Sequence, residues 1–221
     1  MNTMEMLAWV RGPGLVLSLS ILVIGVGVRL VEMLLLGRKP DLSEPRVAHS
    51  GGYGWRTILT RSVLPSSACV RYRRIEFLTG YVFHLGLFLV VFFFVPHILL
   101  IEAVTGLSWP GLAAGLVDGV TLITLAALLL AFWFRLTDPV RRFLSRFNDW
   151  YALAITFLPV LTGYLAYHRL LGEYNTLLVL HILSVEVLLA SLPFTRLMHG
   201  FTLWFSRWYT GQMAGRRGVK V

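Results

Sequence analysis

Five stretches of the chain are almost continuously apolar, and each is long enough to be considered as a membrane-crossing helix, which takes about 20 residues. They run from about Pro13 to Leu36, Phe77 to Ile101, Val120 to Phe134, Trp150 to Tyr167 and Leu177 to Leu197. The third stretch is the shortest, and we expect its helix to begin near Asp118. The pattern predicts an all-α fold, an integral membrane bundle of five transmembrane helices in one domain over residues 1–221.

Composition supports a membrane protein. Of the 221 residues, 57% are apolar and only 14% are charged, whereas soluble domains average about 45–50% apolar and about 25% charged residues. This balance excludes a disordered tail and a nucleic-acid-binding domain. The net charge of +9 is therefore interpreted as the excess of Lys and Arg that membrane proteins carry in cytoplasmic loops.

The basic residues are unevenly distributed between the two sides of the predicted bundle. Of the 20 Lys and Arg residues, 17 lie in segment 37–75, in the segment after the third span and in the tail. The opposite loops contain Arg11 and Arg169. The positive-inside rule then predicts an N-terminus outside and a C-terminus in the cytoplasm, in a prokaryotic inner membrane.

The cytoplasmic loop at about 37–75 and the basic tail at about 200–221 are the two largest predicted extramembrane segments. Together they form either a platform for a cytoplasmic partner or a set of charges that fixes topology and contacts lipid headgroups. The single cysteine, Cys69, excludes a Cys-ligated iron–sulfur cluster within this chain.

Four of the six histidines fall in two predicted spans. His84 and His97 belong to the second span, and His181 and His199 to the fifth. A histidine inside a membrane helix is costly and usually marks a functional site. Because the two helices run in opposite directions, His84 matches His199 in depth, and His97 matches His181.

Two facing imidazoles at one depth suit the two sides of a haem iron, and helical bundles build such sites in their cores. His181 and His199 are 18 residues apart, five whole helical turns, so they are expected to share a face. His84 and His97 are 13 apart and do not. Pro96 is expected to kink the helix directly before His97.

The motifs around these histidines resemble those of the respiratory nitrate reductase gamma subunit. Residues 81–87, Tyr-Val-Phe-His-Leu-Gly-Leu, are similar to its second-helix motif. His181-Ile-Leu, followed by Pro193-Phe-Thr-Arg-Leu-Met-His199, is similar to its fifth-helix motif. Related cytochromes b serve sulfur-metabolism and heterodisulfide-reductase-like complexes.

The resemblance implies a di-haem cytochrome b that oxidises quinol near an outer haem and passes electrons to a cytoplasmic iron–sulfur subunit, itself joined to a catalytic subunit. It assigns His84 and His199 to the inner haem b and His181 to the outer one. Where the family has its second histidine in the second helix, this chain has Phe94. Either His97 replaces it, or the outer haem is altered or absent.

Other polar residues near the predicted helix ends are candidates for cofactor or quinol contacts. Arg196 could pair with a haem propionate, and Arg29 either does the same or snorkels to the interface. Glu102 and Asp118, with His97 close by, are candidates for the proton acceptor of a quinol site, or they simply end helices at the headgroups.

We therefore expect a di-haem electron-transfer subunit of a quinone-linked oxidoreductase complex. A mono-haem variant and a haem-free scaffold or transporter subunit are the alternatives.

Overall fold

The computed structural model describes residues 2–36, 42, 44–47, 50–61 and 73–219, and every regular element among them is helical. Five of the described helical segments are long and apolar enough to cross a membrane. The predicted all-α, multi-pass class is confirmed. The orientation of the termini stays a prediction, and much of the loop at 37–75 lies outside the described residues.

The membrane-length segments lie close to the predicted spans. The first combines α1 (Thr3–Trp9), a π-helical turn (Val10–Gly14) and α2 (Leu15–Leu35). The others are α4 (Arg74–Phe93), α6 (Ala114–Thr137), α8 (Phe147–His168) and α9 (Tyr174–Ser191), the last extended by a 3₁₀ turn at Leu192–Phe194. The shorter helices are α3 (Gly51–Arg61), α5 (Val95–Thr105), α7 (Pro139–Leu144) and α10 (His199–Arg216).

The chain divides into two compact units. Unit 1 comprises residues 1–21 and 75–191, and unit 2 comprises residues 22–74 and 192–221. In unit 1 one buried cluster joins α6 to α8 through Leu125, Leu128 and Val160. A second cluster joins the N-terminal segment to α9 through Leu7 and Val179.

The second crossing is broken where Pro96 was expected to kink it. α4 ends at Phe93, Phe94 is extended (φ −80°, ψ 122°), and α5 begins at Val95 with Pro96 in its first turn. Proline has no N–H and cannot bond the carbonyl one turn earlier. The connection 106–113 supplies the missing donors, because Trp109 Nε1 bonds the Phe92 carbonyl at 2.6 Å and the Leu112 N–H bonds the Phe93 carbonyl at 2.9 Å.

The fifth crossing does not continue to His199 as one helix, so the expectation that His181 and His199 share a helical face is wrong. α9 ends at Ser191, a 3₁₀ turn follows, and Thr195 is extended (φ −115°, ψ 176°). Pro193 lies within that turn and removes a helical donor. Since His199 begins α10, the spacing of five turns no longer places it on the face that carries His181.

In unit 2, α3 packs closely against α10. A side chain on Gly211 would overlap the Thr57 hydroxyl and meet the Tyr53 carbonyl oxygen at 2.6 Å. A Cβ on Gly54 would lie 2.6 Å from the Trp208 indole. Small residues of this kind let two helix backbones approach each other closely. The described part of the loop at 37–75 and the tail therefore form a helix pair.

Candidate functional site

The imidazole rings of His97 and His181 face each other in unit 1. Their centroids are 6.1 Å apart and their planes are inclined by 17°. Two imidazoles bound to opposite sides of one first-row metal ion, with metal–nitrogen bonds of about 2.0 Å, have centroids roughly 6 Å apart. The ring separation lies in this range, and both side chains are partly buried.

The break in the second crossing positions His97. Its Nδ1 lies 3.0 Å from the Val90 carbonyl oxygen, seven residues earlier. An unbroken α-helix places a carbonyl four residues earlier, not seven, next to a side chain. The edge of the Phe94 ring packs against His97 with a centroid distance of 5.2 Å. Phe94, the extended residue two positions before Pro96, thus turns His97 towards His181.

α8 positions His181 from the other side. His181 Nδ1 lies 3.0 Å from the Pro159 carbonyl oxygen and 3.4 Å from the Thr162 hydroxyl, which in turn contacts the Ser184 hydroxyl at 3.0 Å. A Cβ on Gly163 would lie 2.9 Å from His181 Cε1, so the absence of a side chain there makes room for the ring. Histidine ligands of metals commonly have the second ring nitrogen bonded to a carbonyl in this way.

His84 belongs to unit 1 and His199 belongs to unit 2. His84 Nδ1 lies 2.6 Å from the Gly80 carbonyl oxygen, and its ring packs on Phe83 with centroids 4.5 Å apart. His199 Nδ1 lies 2.8 Å from the Arg196 carbonyl oxygen. Both side chains are exposed in the structure. All four candidate ligands thus have Nδ1 within hydrogen-bond distance of a backbone carbonyl.

The two arginine candidates lie in unit 2. Arg29 forms a 2.8 Å ion pair with Glu32 one turn away, and its Nε donates to the Pro193 carbonyl at 3.4 Å. These contacts account for the arginine without a propionate. Arg196 has an exposed side chain at the start of the second 3₁₀ turn, three residues before His199.

The quinol-site candidates separate. α6 begins at Ala114, earlier than the expected start near Asp118, so Asp118 lies in its second turn, and its Oδ1 is 2.6 Å from His168 Nε2 at the end of α8. Glu102 is exposed on α5, and the described contacts join it neither to His97 nor to Asp118. The sequence alone indicates that His168 is a surface residue at a helix end. Its contact with Asp118, 50 positions away, cannot be recognised from a lone histidine.

A buried carboxyl group lies elsewhere in unit 1. Glu186 on α9 is 6% exposed, and its Oε1 has no hydrogen-bond partner among the described residues. It lies against the π-helical turn, where a Cβ on Gly14 would be 2.5 Å from Oε1. Three or more His, Cys, Asp or Glu side chains do not gather into a metal-binding group anywhere in the described chain.

Comparisons with known proteins leave the family of this chain open. No family model matches the chain, and no solved structure matches it. A curated protein from Nitratidesulfovibrio vulgaris (strain Hildenborough) is 35% identical over 132 residues, which cover 59% of this chain and 58% of that relative. The chain thus spans less than two thirds of the relative, whose description, "Protein", assigns it no activity.

Proposed function

We propose that this chain is a b-type cytochrome subunit that exchanges electrons between the quinone pool and a cytoplasmic iron–sulfur subunit. The facing pair of His97 and His181 is the observation that carries the proposal. Their ring planes are nearly parallel and their centroids lie 6.1 Å apart, so these two imidazoles would hold one haem. A haem held by two histidines would supply one-electron transfer.

The residues around the pair support the same interpretation. The Pro159 and Val90 carbonyls hold Nδ1 of His181 and His97, respectively, at 3.0 Å. This orients both rings and selects the tautomer whose Nε2 lone pair binds a metal. Gly163 leaves space beside the ring. These groups position the ligands and exclude water, while the bound haem would supply the one-electron chemistry.

The sequence resemblance further assigns His84 and His199 to a second haem b, and the proposal retains that assignment. Both histidines expose an imidazole whose Nδ1 is held by a carbonyl. Arg196, three residues before His199, is the proposed propionate partner, and Arg29 is the weaker candidate because Glu32 already pairs with it. The subunit would lie in a prokaryotic inner membrane, beside an iron–sulfur subunit and a catalytic subunit.

Optical and EPR spectra of the purified chain test the proposal. The dithionite-reduced protein should show a b-type α-band with two low-spin centres. His97→Ala and His181→Ala should each remove the same centre, and His84→Ala and His199→Ala should each remove the other.

His168→Gln is the matched control, because Asp118 occupies the Nε2 atom of His168. This variant should keep both centres. A protein without haem would refute the proposal. Loss of different centres in His97→Ala and His181→Ala would refute the pairing.

A further inference from the structure

His168 and Asp118 form a close pair at the end of unit 1 where α8 ends and α6 begins. His168 Nε2 lies 2.6 Å from Asp118 Oδ1, and the two side chains are 32% and 29% exposed. A carboxylate that accepts from Nε2–H selects the tautomer in which Nδ1 carries the lone pair. His168 is thereby prepared to accept a proton at Nδ1, and Asp118 stabilises the imidazolium that forms.

Aromatic rings surround the imidazole. Tyr164 packs on His168 with centroids 4.5 Å apart, and Tyr167 meets it edge-on at 5.1 Å. The Tyr167 ring is 48% exposed, and Leu116 and Leu170 beside the pair are 55% and 44% exposed. The headgroup of a quinol is a flat ring that loses a proton on oxidation. This surface would give such a ring both an aromatic face to stack on and a base.

The pair is connected to the proposed haem site by rings in contact. Tyr167 packs edge-on against Phe94 at 5.5 Å, and Phe94 packs edge-on against His97 at 5.2 Å. A quinol that contacts His168 and Tyr167 would therefore lie two ring contacts from His97. The proton acceptor and the electron acceptor of one substrate would thus be close together but separate.

We propose that His168 is the base that takes the proton of a quinol bound at this end of unit 1, and that Asp118 is its positioning residue. The inference rests on the proposed function. As the quinol O–H bond breaks, the proton goes to His168 Nδ1 and the electron goes to an oxidant of the ferric haem class. Repetition of both transfers converts the quinol into the quinone, with two protons and two electrons released.

Several charged or titratable groups lie around His168. They are Asp118 on α6, Tyr164 and Tyr167 on α8, and Arg169, whose guanidinium stacks on Tyr174 of α9 at 5.4 Å. Of these, Asp118 is the group that bonds the imidazole. Removal of the Asp118 carboxylate should therefore leave the imidazole without the partner that orients it.

Stopped-flow reduction of the full-length protein by menadiol or decylubiquinol tests the inference. His168→Gln should slow haem reduction by quinol on the order of 10²-fold, the usual contribution of a general base. Asp118→Asn should slow it by about tenfold at saturating quinol, as loss of an orienting partner does, while the quinol concentration at half-maximal rate stays as in the wild type. Dithionite reduction and the midpoint potentials should stay as in the wild type.

Glu173→Gln is the carboxyl control, since Glu173 is exposed five residues after His168 and should keep the wild-type rate. Wild-type rates in both His168→Gln and Asp118→Asn, with haem that quinol reduces, would overturn this inference alone. A wild-type protein without haem would instead overturn the proposed function. A lower rate in Asp118→Asn that saturating quinol restores to the wild-type value would show that Asp118 does not position the base and would overturn its assignment.

Discussion

At the scale of single residues, the four proposed ligands share one feature, a backbone carbonyl within hydrogen-bond distance of Nδ1. His168 differs because its contact to Asp118 uses Nε2. The nitrogen that each ring engages therefore separates the proposed electron-transfer histidines from the proposed base. For His84 and His199 the carbonyl is within four residues on the same chain segment, whereas for His181 it comes from another helix.

Gly163→Ala tests how tightly the His181 ring is held. The new methyl group would lie 2.9 Å from Cε1 and 3.1 Å from Nδ1, closer than a normal contact, so the ring must leave the Pro159 carbonyl. We expect a shifted or lost low-spin EPR signal from the centre that His97→Ala also removes, with the other centre unchanged.

Gly27→Ala is the control for this substitution, because a Cβ there meets nothing within 4 Å. It should leave both signals unchanged and raise the stability by about 0.5–1 kcal/mol, the helix propensity difference between alanine and glycine. Wild-type signals in Gly163→Ala would mean that the His181 ring is not confined as the structure has it.

At the scale of elements, two interruptions of helices decide where the candidate histidines lie. The break at Phe94 divides the second crossing, and the turn around Pro193 separates His199 from α9. In a bilayer every carbonyl freed by such a break needs a donor from the protein. For the first break, Trp109 and Leu112 of the following connection supply these donors.

Trp109→Phe should destabilise the interruption between α4 and α5 while leaving the residues of that interruption unchanged. The substitution keeps an aromatic ring but removes the Nε1–H that bonds the Phe92 carbonyl at 2.6 Å. An unsatisfied polar group of this kind costs about 1–3 kcal/mol, so we expect a lower midpoint of thermal unfolding and a broadened signal from the His97 centre. Trp133→Phe, on a side chain 59% exposed in α6, is the control and should change neither measurement.

Gly211→Ala tests the α3–α10 helix pair of unit 2. A Cβ at this position would overlap the Thr57 hydroxyl and lie 2.6 Å from the Tyr53 carbonyl oxygen, and a backbone atom cannot move aside cheaply. Overpacking of this kind costs about 1–3 kcal/mol, so limited proteolysis should cut near α3 faster than in the wild type. Gly52→Ala, where a Cβ meets nothing within 4 Å, should be cut at the wild-type rate.

At the scale of the whole molecule, the orientation in the membrane decides which of the proposed sites lies near the outer surface, where quinol would be oxidised. The asymmetry of 17 basic residues against two predicts that the N-terminus is outside. Reporter fusions after Gly172 and after Gly215 should therefore report opposite sides, the first outside and the second in the cytoplasm. Reports from the same side for both fusions would contradict the five-span topology.

Partner docking is also a property of the whole molecule. Deletion of residues 205–221 would remove Trp208, Gly211 and Gly215, which pack against α3, so the deletion would disrupt unit 2 as well as any docking surface. Trp204 and Phe205 are each 52% exposed on α10 and are the better targets. Aromatic residues of this kind are enriched at interface hot spots.

The double variant Trp204→Ser with Phe205→Ser should keep both haems and release the iron–sulfur subunit during purification. The expected loss of electron transfer to that subunit is tenfold or more, since each hot-spot side chain is worth about 2 kcal/mol or more. Leu59→Ser, at a side chain 75% exposed on α3, serves as the control. Full retention of the partner in the double variant would assign the aromatic residues to the membrane interface.

The number and approximate positions of the membrane-length helices follow from the sequence alone. Continuous apolar length is a local property, and the thickness of the bilayer sets the length that is required. Pro96 likewise predicts the break in the second crossing, because a missing N–H acts on its own helix. Pro193 acts in the same way on the fifth crossing, where it lies in the 3₁₀ turn between His181 and His199.

Contacts between distant segments were decided only by the tertiary structure. His97 reaches His181 because Phe94 is extended and because carbonyls of two segments hold the rings. His168 meets Asp118 across 50 positions, and neither residue carries a local pattern that reveals the other. Periodicity describes one helix at a time, whereas a site made of two or three helices depends on how their ends are capped, broken and packed.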